Sequence, residues 1–220
     1  MIANKVGIVV FDWGGVILRI CRSWEEGCAR AGLDVRDGPI RDEFTTLRRR
    51  IAHDYQIGAI GCDAFAKNLS DAMNGLYSTA EIRAIHDAWL IEEYPGIAEL
   101  IGQLVGAGHV TTGMLSNTNH LHWSQQLTPG EGGTSRFPTA RQLEHRHASH
   151  LLGIAKPDAG IYEQFERETG FAGGEILFFD DLPENIDAAR SRGWRAERID
   201  HDGDTAGQIR GWLDAHGVTI

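Results

Sequence analysis

Residues 5–18 read Lys5-Val-Gly-Ile-Val-Val-Phe-Asp12-Trp-Gly14-Gly15-Val-Ile-Leu18, an apolar, β-branched run without alternation that stops at an aspartate and two glycines. A strand of this texture is buried on both faces and pairs in parallel with its neighbours. Two later segments repeat the design: His109 to Leu115 stops at Ser116-Asn117, and Glu175 to Phe179 stops at Asp180-Asp181. In open α/β sheets ligands bind outside the carboxyl ends of the strands, so these polar termini are expected to meet at one crevice.

Helical periodicity fills the intervals. Ile97, Leu100, Ile101, Leu104 and Val105 follow the amphipathic rule directly after Pro95-Gly96, which predicts a crossover helix before the strand at Val110. Further helices are predicted from Asp158 to about Gly170 and from about Pro183 to Arg192. A last strand over 195–199 precedes a helix carrying Ile209 and Leu213. The expected fold class is α/β: a doubly wound, Rossmann-like parallel sheet.

Between Leu18 and Tyr94 strand-like runs vanish and four helical patterns follow one another. Ser23-Trp-Glu-Glu26 and Ser78-Thr-Ala-Glu81 have capping-box form. Between them Ile40, Phe44, Leu47 and Ile51 make one stripe, and Asp63 is placed to cap a helix carrying Phe65, Leu69 and Met73. The reading is a core over 1–18 and 95–220 and an inserted helical-bundle cap over 19–94, set to cover the crevice and select substrates. Residues 128–138, rich in Gly and Pro, read as a surface loop.

Composition narrows the function. The 220 residues carry 21 Lys+Arg against 31 Asp+Glu, a net charge of −10, which repels a polyanion and argues against nucleic acid. No apolar run approaches a membrane span. Three cysteines, Cys21, Cys28 and Cys62, without CxxC spacing fit reduced thiols in a cytoplasmic protein. Oligomeric state has no sequence signal. Only Lys5, Lys67 and Lys156 are lysines, so a lysine retained in so arginine-biased a chain invites a specific role.

A carboxylate ending a buried strand is costly unless a cation offsets it, and Mg²⁺ with oxygen ligands is the usual partner. Asp12 and Asp181 supply two such ligands; a hydroxyl at Ser116 and an ammonium at Lys156 suit the oxygens of a phosphoryl group. Glycines at 14 and 15 let backbone N–H groups approach the same anion. Together these describe a phosphoryl-transfer site with an aspartate nucleophile.

The stretches Phe11-Asp12-Trp-Gly-Gly15-Val-Ile, Leu115-Ser116-Asn117-Thr-Asn119, Lys156-Pro157-Asp-Ala-Gly-Ile-Tyr162 and Phe179-Asp180-Asp181-Leu-Pro-Glu-Asn185, in this order, resemble the haloacid dehalogenase superfamily in its phosphatase branch, with a type-one helical cap. The second and third stretches look similar to bacterial sugar-phosphate phosphatases of the α-glucose-1-phosphatase type. The resemblance implies that Asp12 attacks phosphorus, that Mg²⁺ is held by Asp12, the Gly14 carbonyl and Asp181, and that Ser116 and Lys156 bind phosphate oxygens. Trp13, Gly14, Asn117 and His120 would join the phosphate or substrate pocket, while Asp180 and Asn185 would brace it. The implied partner is a small phosphorylated metabolite, with a sugar phosphate foremost.

One position departs from that pattern. Phosphatases of the family usually carry a second aspartate two residues after the nucleophile, as general acid for the leaving group; here it is Gly14. A weakly catalytic phospho-ligand or partner binder and a 2-haloacid dehalogenase are therefore alternative readings. His145, His147 and His150 lack the partners of a zinc site, and Arg48, Arg49 and Arg50 read as a solvated helix face. Tyr55 to Gly61 is a glycine-hinged stretch chosen for substrate selection.

Overall fold

The computed structural model describes residues 5–36 and 42–220, with side chains from 45 onward in the second segment. In chain order the elements are β1 (Ile8–Phe11), β2 (Leu18–Ile20), α1 (Trp24–Arg30), α2 (Asp42–Gln56), α3 (Cys62–Ala72), α4 (Thr79–Asp87), β3 (Leu90–Glu93) and α5 (Ile97–Ala107). There follow β4 (Thr111–Ser116), α6 (His120–Ser124), β5 (His145–Ala148), α7 (Ser149–Leu152), α8 (Ala159–Thr169), β6 (Ile176–Asp180), α9 (Pro183–Ser191), β7 (Arg195–Arg198) and α10 (Thr205–Ala215).

Among the described residues the main sheet has the order β5-β4-β1-β6-β7, and every pairing in it is parallel. The pleat of β1 sends Val9 and Phe11 into a hydrophobic cluster with Leu100, Ile101 and Leu104 of α5 and Ile209 and Leu213 of α10. Ile8 and Val10 enter a second cluster with Ile161 and Phe165 of α8 and Ile186 of α9. A sheet covered on both faces explains why β1 reads as a continuous apolar run. With β1 central, Asp12 stands between the ends of β4 and β6, and its N–H donates to Phe179 O at 2.8 Å, extending the ladder by one rung.

Helices α1 to α4 pack around a third cluster that includes Cys28, Tyr55, Phe65, Leu69, Ile82 and Ile85. Each of these side chains is buried at the helical spacing of its own element. Ser78 and Glu81 form the full capping box at the start of α4, whereas at α1 the Ser23 hydroxyl accepts from Glu26 N and Glu26 turns instead to Arg22 N. Of the expected stripe on α2, Ile40 and the Phe44 side chain lie outside the described residues; Leu47 is exposed and Ile51 is buried. Asp63 sits inside the first turn of α3, and Gly61 occupies the cap position.

The expectation of no strands between 18 and 94 is corrected. β2 and β3 pair antiparallel, with Arg19 opposite Glu92 and their side chains 3.4 Å apart. Runs of three and four residues with charges facing each other carry no readable alternation; their pairing comes from contact between segments 70 residues apart in sequence, a distance at which no local signal operates. The strand β5, His145–Ala148, has no apolar run to mark it in the sequence. As an edge strand it needs no apolar run, and its His147 ring packs edge-on against Phe165 while its Nδ1 lies 3.0 Å from Glu168 Oε2. Residues 128–138 are a loop with one short 3₁₀ turn over Pro129–Glu131.

Candidate active site

The strand ends bring Asp12, Ser116, Lys156, Asp180 and Asp181 together in buried positions. Lys156 Nζ donates to Leu115 O at 2.8 Å and to Asp180 Oδ2 at 2.7 Å, and lies 3.1 Å from Asp12 Oδ1. All three of its protons thus have oxygen partners, which is what a fully buried ammonium requires. Burial pulls the Lys156 pKa down, but Asp12 and Asp180 outweigh it and leave it raised. One of three lysines in the chain is therefore held charged between two carboxylates.

The backbone of that lysine is itself clamped. Asn117 Nδ2 donates to Lys156 O, and Lys156 N donates to Asn117 Oδ1, both at 2.8 Å. The Asn117 side-chain amide thus fixes the lysine loop to the end of β4, while the residue also lines the cavity. Asn185 Nδ2 donates to both Asp180 oxygens at 3.0 Å, and Leu182 N donates to Asp180 Oδ1 at 2.9 Å. Asp180 consequently accepts four hydrogen bonds from three donors.

Asp12 and Asp181 are less saturated. Asp12 Oδ1 accepts from Trp13 N at 2.6 Å. Burial pushes the Asp12 pKa up to about 7, Lys156 and Ser116 opposing and Asp180 and Asp181 reinforcing the rise. Asp181 is raised for the same first reason, with Arg22 opposing. Asp181 Oδ2 lies 2.8 Å from Arg22 Nη1 and 3.4 Å from His201 Nδ1, yet accepts no aligned hydrogen bond. Oxygens of Asp12, Asp180 and Asp181 all fall within 4.8 Å of one another. Three buried carboxylates so close, one with an orphaned oxygen, are a donor set for a hard divalent cation. Gly15 makes the approach possible: at φ +86° it takes the left-handed turn, and a Cβ there would stand 2.5 Å from the Asp181 carboxylate.

Beyond the strand ends a cavity of about 620 Å³ opens between the sheet and the inserted helices. Trp13, Gly14, Ser116 and Asn117 line it from the core, and Tyr55, Phe65 and Ile85 from the insertion. The placement of His120 at its edge is corrected: His120 is exposed on α6 and His122 lines the cavity instead. Residues two apart on a helix point away from each other, and Asn119 at the N-cap sets the phase. Of the arginine triplet, Arg48 and Arg49 reach the cavity. The Tyr55–Gly61 stretch is divided, Tyr55 and Gln56 lining it while Gly58 packs against the His150 backbone, where a Cβ would stand 2.5 Å from the carbonyl.

A feature without sequence signal joins α4 to α6. The rings of His86 and His122 stack with centroids 4.0 Å apart and planes 16° from parallel. His122 Nε2 donates to His86 O at 2.9 Å, Asn119 Nδ2 donates to His122 Nδ1 at 3.2 Å, and His86 Nε2 donates to Asn119 Oδ1 at 3.3 Å. This network assigns both rings as neutral. Burial pulls His86 down to about 4 and His122 well below its ordinary value. A histidine depressed in the fold adds stability above its unfolded pKa near 6.5 and loses it as pH falls toward 4. Between pH 7.5 and 5 His86 alone is expected to remove about 2 kcal/mol. Urea unfolding at the two pH values checks this: His86→Gln should lose clearly less stability on acidification than the parent, and equal losses would contradict the assignment.

Fold and strand-end chemistry together define an α/β protein with a carboxylate-rich site under a helical insertion. Residues 6–193 match the haloacid dehalogenase-like hydrolases, and the chain belongs to that family. A phosphatase of Mycobacterium tuberculosis (strain CDC 1551 / Oshkosh), MT3486, is 36% identical over 58 residues, a stretch covering 26% of this chain and 27% of that protein's length. Among solved structures, a HAD family enzyme from Bacteroides thetaiotaomicron superposes with TM-score 0.76 at 21% identity, covering 94% of this chain and 100% of the other. It has also been solved in complex with magnesium and inorganic phosphate. A 2-haloacid dehalogenase from Pseudomonas syringae pv. Tomato DC3000 gives TM-score 0.61 at 16% identity, covering 96% and 99%. No helix among the described residues is long and apolar enough to cross a membrane.

Proposed function

We propose that the protein is a Mg²⁺-dependent phosphomonoester hydrolase that works through an aspartyl-phosphate on Asp12, with residues 19–94 acting as its cap. The carrying observation is the convergence of Asp12, Asp180 and Asp181 within 4.8 Å beside a buried, charged Lys156. A dehalogenase needs a nucleophilic carboxylate but no cation, and three clustered acids would then face each other without purpose. The magnesium and phosphate complex of the Bacteroides enzyme supports the same choice.

Asp12, Asp181 and the Gly14 carbonyl would hold the cation, which when bound screens the phosphoryl charge and orients the group for in-line attack. Asp12 then attacks phosphorus. Ser116 and Lys156 stand beside it to grip phosphoryl oxygens, Lys156 keeping its charge through Asp180, which Asn185 fixes in turn. Water attacks phosphorus in the second step and frees the Asp12 carboxylate. The substrate is a small phosphorylated metabolite, and the sugar-phosphate expectation rests on the second and third motif stretches. The acidic net charge weighs against nucleic acid. Unpaired cysteines, two of them buried, support a reducing, cytoplasmic setting.

Removal of the cation tests the reading directly. EDTA should lower release of phosphate from a test ester by at least about 10²-fold, with Mg²⁺ restoring it, and Mg²⁺ alone should raise the thermal midpoint. Full turnover in EDTA would overturn it.

A further inference from the structure

The leaving group of this substrate must depart without a proton from the enzyme, because the place beside Asp12 from which an acid could deliver one is aliphatic. A Cβ on Gly14 would stand 3.1 Å from Ile20 Cδ1, with two further carbons of that side chain within 3.8 Å. Neither remaining acid is free to act: Asp180 is engaged by Lys156 and Asn185, and Asp181 belongs to the donor set for the cation. His86 and His122, the imidazoles lining the cavity, are neutral and linked to each other and to Asn119. General-acid assistance is worth about 10² to 10⁴-fold for a poor leaving group; a phenolate, with a pKa near 10 as in tyrosine, departs far more readily without it.

The cavity wall agrees with such a group. Trp24, Tyr55, Phe65, Leu69, Ile85 and Trp89 face the space from the insertion. Of the polar side chains on that wall, Tyr55 Oη lies 3.1 Å from Cys62 Sγ and the two histidines are joined through Asn119, while Trp24 Nε1 and Arg48 Nε are buried without a hydrogen-bond partner.

We infer that the substrate is an aryl phosphate, its ring seated against the aromatic wall of the insertion and its phosphoryl group at Asp12. The inference rests on the phosphatase reading above and narrows its substrate class away from sugars. In the first step an Asp12 oxygen bonds to phosphorus and the bond from phosphorus to the aryl oxygen breaks, its electron pair leaving on the phenolate. In the second, a water oxygen bonds to phosphorus and the bond to Asp12 breaks. The water provides the oxygen of inorganic phosphate and the proton that the phenolate takes up from solvent, so one water is consumed and one phenol and one phosphate appear.

Four esters on the unaltered enzyme with Mg²⁺ test this: phenyl, cyclohexyl, 1-naphthyl and glucose 1-phosphate, with acetyl phosphate as a small control. Phenyl and cyclohexyl phosphate match in size and differ in leaving-group basicity. We expect kcat/KM for phenyl phosphate to exceed that for cyclohexyl phosphate by at least about 10²-fold, 1-naphthyl phosphate to show a lower KM than phenyl phosphate, and glucose 1-phosphate to trail phenyl phosphate by at least about 10²-fold. Cyclohexyl or glucose 1-phosphate turning over as well as phenyl phosphate overturns the inference while leaving the phosphatase reading in place. Release of phosphate from none of the five, acetyl phosphate included, overturns both.

Discussion

Asp12→Asn is expected to lower kcat/KM for any phosphate ester by at least about 10³-fold while leaving the protein folded. The amide keeps the shape of the carboxylate and can still accept from Trp13 N, 2.6 Å away in the parent, but it is a far poorer nucleophile. Stability should move the other way. Burial raises the Asp12 pKa to about 7 in the cation-free protein, above the unfolded value, so the fold is favoured while Asp12 is protonated and loses that contribution as pH rises through 7. An uncharged side chain avoids the loss, and at pH 8 without Mg²⁺ the variant should unfold at a temperature no lower than the parent. Comparable turnover in parent and variant would remove Asp12 as the nucleophile.

Lys156→Met is the second large effect, and it falls on stability first. The ammonium sits 2.7 Å from Asp180 and 3.1 Å from Asp12, with its side chain fully buried. Removing one partner of a buried charge set costs about 3–5 kcal/mol because the remaining charges stay desolvated and unpaired. Urea unfolding at pH 8 should show a loss of that order, shrinking at pH 6 where Asp12, which burial already raises to about 7, discharges by taking up a proton. A variant as stable as the parent at both pH values would contradict the charged arrangement. Added Mg²⁺ should recover part of the loss, since the cation replaces the missing positive charge among the same three acids.

These expectations trace back to residues legible in the sequence because strand ends combine two local signals. A continuous apolar run marks a strand buried on both faces, and the polar residue that ends it marks the crevice. Asp12, Ser116 and Asp181 were readable on those grounds. Lys156 follows no strand and was placed by its rarity and by the motif around it. The helices with long apolar periodicity, α5, α8, α9 and α10, were equally legible. What escaped depends on contacts between distant segments or on phase. The β2–β3 pairing joins short, mixed runs far apart in the chain. The choice between His120 and His122 turns on where α6 begins, which Asn119 decides by capping it. The partner of His122 is His86, 36 residues earlier in the insertion, and no periodicity connects the two. The clamp of Asn117 on Lys156 spans 39 residues in the same way. Arg22 pairs with Asp181 because β2 carries the chain back past Gly15.

The buried stack of His86 and His122 also links the site to its insertion. Ser149 Oγ donates to Gln56 O at 2.6 Å and accepts from Thr118 N at 2.9 Å, so a second polar bridge holds the end of α2 against the core. Lys156 and Asn185 brace the floor of the site, and these two bridges join the insertion to the core above it. In the proposed reading, substrate choice rests on the apolar side chains that line the cavity and on Ile20 beside Gly14.

A phosphoryl group carried on Asp12 can be read chemically. Acid quenching during turnover with Mg²⁺, followed by borohydride reduction, converts an aspartyl-phosphate to homoserine, which peptide mass spectrometry locates. Homoserine is expected at position 12, formed with substrate and Mg²⁺ and absent when either is withheld. Phosphate release with position 12 unmodified, or with the modification at another aspartate, would contradict it.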